Sequence, residues 1–115
     1  MTSPLKGKPM SEQQLLDAVL DLAKVLHWRT LHIRPARTDK GYRTPLQGDG
    51  VGFPDILACK GTRIIAAELK TGKNKFTPAQ VDWFGALADA GVATHEWRPA
   101  DWHSGEILRV LSGQP

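Results

Sequence analysis

Three charged residues in the middle of the chain have the types and spacing for chemistry on a phosphate group. Glu68 and Lys70 end the run Arg63-Ile-Ile-Ala-Ala-Glu-Leu-Lys70, and Asp55 opens the run Asp55-Ile-Leu-Ala-Cys-Lys60. Both runs read as strands, joined by a two-residue hairpin turn at Gly61-Thr62. Side chains alternate along a strand, so Glu68 and Lys70 share a face with Ile64 and Ala66, while Ile65, Ala67 and Leu69 fill the other. Counting outward from the turn, opposed residues sum to 123, which brings Asp55 beside Glu68. Two such carboxylates about 4 Å apart repel by about 4 kcal/mol at an effective dielectric near 20. Lys70 offsets part of this. A divalent cation offsets more, since Mg²⁺ takes one or two carboxylates together with waters and phosphate oxygens. That combination polarises a phosphodiester and generates a hydroxide nucleophile. Lys70 is placed to orient the water or to stabilise developing negative charge. The plainer reading is an ion pair at a strand end with no chemistry attached.

The flanking elements must deliver these groups to one place. Strand Arg63 to Lys70 is apolar on both faces for most of its length, which predicts cover on both sides. Ser11-Glu12-Gln13-Gln14 is a capping box opening a helix, with Leu15, Leu16, Val19, Leu22, Ala23 and Leu26 at helical spacing. Glu12 lies on the same stripe; an acid in a first turn is also favoured by the helix dipole alone. Trp28 to Arg34 reads as a first strand, and its His32 as a structural hydrogen-bonder. Thr77-Pro78-Ala79-Gln80 opens a second helix with Val81, Phe84, Leu87 and Ala88 inward, stopped by Gly91. Gln80 serves the cap and also points toward the core. Val92 to Trp97 is a short strand, and a last helix starting at Asp101 or Trp102 is anchored by Ile107, Leu108 and Leu111. The expected fold is α/β, a small mixed sheet flanked by helices in the order α-β-β-β-α-β-α. Residues 1–10 are expected to be a disordered tail, and 11–115 a single domain.

Between them, residues 35–54 read as a long loop rich in glycine and proline. Between positions 34 and 43, Arg34, Arg37, Lys40 and Arg43 against Asp39 give a local charge of +3, equal to the excess of 15 cations over 12 anions in the whole chain. A basic loop suits phosphate contacts that depend on charge and not on base sequence. It is equally the pattern of a solvated surface loop. Lys73 and Lys75 add a second basic turn just beyond Lys70. No apolar run approaches the ~20 residues of a membrane span, and the N-terminus lacks a signal-peptide core. The single Cys59 reads as a small core residue and suits a reducing compartment, so a cytoplasmic location is expected. Cysteines and histidines are too few at suitable spacing for a zinc site, and no nucleotide cofactor is expected.

Phe53-Pro54-Asp55, then twelve residues, then Glu68-Leu69-Lys70 resembles the signature of the PD-(D/E)XK nucleases. The first-helix Ser-Glu, Gly52-Phe53-Pro54-Asp55, Ala67-Glu68-Leu69-Lys70-Thr71, Thr77-Pro78-Ala79-Gln80 and Trp97-Arg98-Pro99 together resemble the VRR-NUC branch, over about residues 11–111. The resemblance implies a restriction-endonuclease-like core and a Mg²⁺- or Mn²⁺-dependent endodeoxyribonuclease. It implies Asp55 and Glu68 as metal ligands with the Leu69 carbonyl as a third, Lys70 as catalytic lysine, Glu12 reaching the metal or its waters, and Gln80 as the family's helix glutamine at the site. Stand-alone members from phage and bacteria act on branched DNA such as Holliday junctions, often as homodimers. This chain, with no added DNA-binding domain, resembles that kind. The alternative is a nucleic-acid-binding module that keeps the nuclease fold without cutting.

Overall fold

The computed structural model describes residues 9–33, 36–38, 41–43 and 48–113. Helix α1 (Glu12–Val25) starts at the Ser11 capping box: the Ser11 side chain accepts from the Gln14 amide, and the Gln14 side chain accepts from the Ser11 amide. Met10, the residue before the cap, packs against the core, so the expected tail of residues 1–10 ends at least one residue early. Met10 and Leu15 hold the positions of a hydrophobic staple. Residues 1–8 lie outside the described residues.

One sheet carries the architecture. Its order is β1 (Arg29–Leu31), β4 (Ile56–Lys60), β5 (Arg63–Leu69), β6 (Ala93–Trp97). The first three are antiparallel neighbours, and β5 and β6 are parallel. A parallel pair needs a crossover, and α2 (Pro78–Asp89) supplies it. The β4–β5 register is the one counted from the turn, from Lys60 opposite Arg63 to Ile56 opposite Ala67. Two elements were not expected. Within 35–54, β2 (Ala36–Thr38) and β3 (Gly41–Arg43) pair as a separate antiparallel ribbon. The last helix is two, α3 (Pro99–His103) and α4 (Glu106–Leu111), split at Gly105 with φ +85°. A left-handed backbone cannot sit inside a helix, and glycine adopts it most cheaply.

The core lies on one face of the sheet. Ile56, Ala58, Ile65, Ala67, Leu69 and Trp97 meet Leu15, Leu16, Val19 and Ala23 of α1 and Ile107, Val110 and Leu111 of α4. Trp28 Nε1 donates to the Leu111 carbonyl at 2.8 Å, and Arg63 Nη2 to the Val110 carbonyl at 2.9 Å. The chain's end is thereby tied to the sheet.

The opposite face is only partly covered, which corrects the expectations for Ile64, Cys59 and the inward set of α2. On β5, Ala66 and Glu68 are buried but Ile64 is 42% exposed. Its cross-strand partner Cys59 is exposed and is not a core residue. On α2, Val81 and Ala88 are exposed, no residue is fully buried, and Ala79, Gln80, Trp83, Phe84 and Leu87 are the half-buried ones. The helix lies beside β6 instead of across the whole face. In α4, Leu108 is exposed and the inward face is Ile107, Val110 and Leu111, the i, i+3, i+4 positions of one helix face. Among the described residues no helix is long and apolar enough to cross a membrane.

Candidate functional site

The site forms where β4 begins and β5 ends. The ladder runs out at Ile56–Ala67, and beyond it Asp55 and Glu68 bind each other's strand through side chains. The Asp55 amide donates to Glu68 Oε1 at 3.2 Å, and the Leu69 amide donates to Asp55 Oδ2 at 2.8 Å. Each carboxylate thus takes the place of a missing backbone partner, which orients both without a rigid loop. Lys70 follows at once, its amide bonded to the Trp97 carbonyl at 3.0 Å. Its Nζ lies 3.4 Å from Glu68 Oε2 and 5.5 Å from the centre of the Phe76 ring.

Gln80 closes the cluster from α2. Its Oε1 accepts from the Thr77 amide, as a capping box requires, and also from Lys70 Nζ at 2.8 Å. Its Nε2 donates to Glu68 Oε2 at 2.9 Å. The cap and the site are one group, which is why the sequence position fits both readings. Gly52 lets the preceding turn dock on the same helix. Its φ is +88°, and a Cβ there would lie 2.6 Å from the Ala79 carbonyl carbon. Phe53 meets Trp83 edge to face at 5.0 Å, and Trp83 Nε1 donates to the Asp49 carbonyl at 2.7 Å.

Glu68 and Lys70 are 3% and 8% exposed, the only buried charged residues among those described. Their attraction at 3.4 Å is worth about 5 kcal/mol at an effective dielectric near 20. Taking two ions out of water costs several kcal/mol each. The pair therefore does not repay its own burial and is poor material for stability. Burial first, and the Asp55 carboxylate second, push the Glu68 carboxyl up to about 7, with Lys70 and the Asp55 amide pulling it down. Glu12 sits exposed at the start of α1, and partial shielding from water followed by Asp55 raises its carboxyl above the usual range. Lys70 and His32 act against that rise, so all four groups share one field.

The Glu68 shift makes stability depend on pH. A carboxyl raised from 4.5 to about 7 by folding favours the native state below pH 4.5. That contribution, on the order of 3 kcal/mol, is lost as pH rises toward 7. Thermal unfolding of the wild type should show this fall between pH 5 and 8, and Glu68→Ala should flatten it. Equal pH slopes in the two proteins would contradict the assignment.

The expected site residues divide cleanly. Asp55, Glu68, Leu69, Lys70 and Gln80 converge, and Glu12 faces the same group from α1. Lys73 and Lys75 are exposed on the loop after Lys70. That loop is braced by Arg98, whose guanidinium donates to the carbonyls of Gly72 and Asn74 and to Glu96 Oε2. Arg34 and Lys40 lie outside the described residues, and Arg37 and Arg43 are placed only by backbone, on β2 and β3. Sequence reasoning missed Arg98 as a brace. It also left His32 unattached, although its Nδ1 is 2.8 Å from the Asp55 carbonyl. The β1–β4 register, which alone brings them together, has no local signal in the sequence.

Among the described residues, no three of His, Cys, Asp and Glu form a ready-made metal cage. The donor set is two carboxylates with an adjacent backbone carbonyl. That suits a hard cation such as Mg²⁺, which keeps several waters and needs only one or two carboxylates. Asp55 Oδ1 makes no hydrogen bond among the described residues, so one oxygen remains open. Compared with protein-family models, curated proteins and solved structures, the chain matches none of them.

Proposed function

We propose that the protein is a Mg²⁺- or Mn²⁺-dependent endodeoxyribonuclease with a restriction-endonuclease-like core of the VRR-NUC kind. The observation that carries the reading is the buried Glu68–Lys70 pair locked to Asp55 at the open end of the β4–β5 hairpin. Two costly charges and a crowded second carboxylate are held there by backbone amides and by Gln80, at an expense in stability that function explains and folding does not.

In this reading Asp55 and Glu68 would hold the cation, with the Leu69 carbonyl as a third donor, and Glu12 would serve the metal or its waters. When bound, the cation polarises the phosphodiester and lowers the pKa of water. The remaining work belongs to the chain. Lys70 directs its ammonium at the attacking water or at the phosphate oxygen where charge develops. Gln80 and the Phe76 ring hold that ammonium in place. Lys73 and Lys75, with Arg34, Arg37, Lys40 and Arg43, contact the DNA backbone and carry no base information.

The substrate class is branched DNA such as a four-way junction. Two coordinated cuts then require two sites, which a homodimer supplies. The test compares four-way junction, flap, nicked and linear DNA in Mg²⁺, in Mn²⁺ and in chelator, with solution mass measured on the same preparation. Expected are metal-dependent incision, strongest on branched DNA and suppressed by added salt, and a dimer mass. Binding without incision of any substrate would favour the non-catalytic module.

A further inference from the structure

Asp55 stands outside the ladder that should hold it. The β1–β4 pairing ends at Leu31 opposite Leu57, and β4 itself begins at Ile56. Continuing that register would set Ile33 against Asp55, but β1 has already stopped. The Asp55 carbonyl therefore receives no strand amide from β1. It is met instead by the His32 ring, with Nδ1 at 2.8 Å. A carbonyl only accepts, so Nδ1 must carry the proton and donate, which leaves Nε2 as the other ring nitrogen. No hydrogen bond engages Nε2 among the described residues.

Asp55 then has three anchors: His32 on its carbonyl, Glu68 Oε1 on its amide, and the Leu69 amide on its Oδ2. Two of these belong to the hairpin of β4 and β5. Only His32, the residue just past β1, ties Asp55 to a segment outside the hairpin. We propose that His32 is a positioning residue for Asp55, whose Nδ1–H takes the place of the missing β1 amide and holds the Asp55 carboxylate against the Leu69 amide beside Glu68. The sharing of one field by Glu12 and His32 fits this placement, since it puts the ring at the edge of the same cluster. The ring acts through Asp55 and is not itself a reacting group.

The inference deepens the nuclease reading, but its first test needs neither metal nor substrate. In His32→Asn the side-chain amide nitrogen stands where Nδ1 stood and can donate to the same carbonyl. In His32→Leu nothing donates, and in His32→Gln the nitrogen stands nearer the Nε2 position. Amide hydrogen exchange at Leu69, whose partner is the Asp55 carboxylate, reads the positioning directly. Exchange should accelerate about tenfold or more in His32→Leu and His32→Gln and stay within about threefold of wild type in His32→Asn, with unchanged circular dichroism. Mn²⁺ titration should follow the same ranking, with affinity lowered about 10–100-fold in His32→Leu and restored in His32→Asn. Unchanged Leu69 protection in His32→Leu, or equal loss in His32→Leu and His32→Asn, would overturn the proposal. If Leu69 protection follows the expected ranking but the wild type neither binds Mn²⁺ nor cuts DNA, the positioning role stands and the nuclease reading fails.

Discussion

Lys70→Met should lower the turnover of metal-supported DNA cleavage about 10²–10³-fold, the usual loss when one preorganised charge stabiliser is removed. Methionine keeps the length and the apolar stem against Phe76 and deletes only the ammonium. DNA affinity should change by less than about threefold, since the phosphate contacts assigned to Lys73, Lys75 and the basic loop are untouched. The substitution also strands Glu68, whose Oε2 keeps only the Gln80 Nε2 donor. Glu68 can respond by taking a proton, because it already titrates near 7. Stability should therefore fall less at pH 6 than at pH 8, where the bare carboxylate is left buried. Lys70→Arg should not rescue turnover, because a planar guanidinium does not fit the compact cup of Gln80 Oε1 and Glu68 Oε2. Single-turnover cleavage and denaturant unfolding at the two pH values check both parts. Wild-type turnover in Lys70→Met would remove Lys70 from the chemistry.

The second large effect is expected three residues before Asp55. Gly52→Ala adds a Cβ 2.7 Å from the Ala79 Cβ and carbonyl oxygen, at a backbone φ of +88°. The left-handed conformation costs about 1–2 kcal/mol for a non-glycine residue. The contact is with helix backbone and cannot be relieved by turning a flexible side chain. Together these should cost about 2–4 kcal/mol and lower Tm by roughly 10 °C. If the turn lifts instead, the Trp83 bond to Asp49 and its contact with Phe53 are lost, and indole fluorescence shifts to the red. In both cases activity falls, because the turn leads directly into Asp55. A variant with wild-type melting, fluorescence and turnover would contradict the docking role of Gly52.

How far the sequence carried the fold depended on the range of each signal. Ser11-x-x-Gln14 and Thr77-Pro78-x-Gln80 specify helix starts through four adjacent residues, and both capping boxes form. The turn at Gly61-Thr62 sets a register that needs no distant information, and that register brings Asp55 beside Glu68. Errors arose where a neighbour had to be known. Ile64 and Cys59 look like core residues by type, but α2 leaves that part of the sheet uncovered. Gly105 resembles any helix glycine until its left-handed φ breaks α3 from α4, and the face α4 turns to the core holds Val110 and not Leu108. The ribbon of β2 and β3 is three residues a side, too short to rise above the glycines around it.

The side-chain cluster of the candidate site was legible for the same reason. Asp55, Glu68 and Lys70 lie on one hairpin, and Gln80 is set by its own cap. His32 was not legible, since it meets Asp55 only through the pairing of β1 with β4, which joins strands 25 residues apart in the order Leu31 to Ile56. Arg98 likewise acts across the gap between β6 and the loop after Lys70.

The most direct test of the central claim is incision of a four-way DNA junction in Mg²⁺ by the wild type and by Glu68→Ala, both shown to be folded. The account predicts metal-dependent incision by the wild type, its loss in chelator, and a rate at least about 10³-fold lower in Glu68→Ala. Incision by folded Glu68→Ala at the wild-type rate would contradict it.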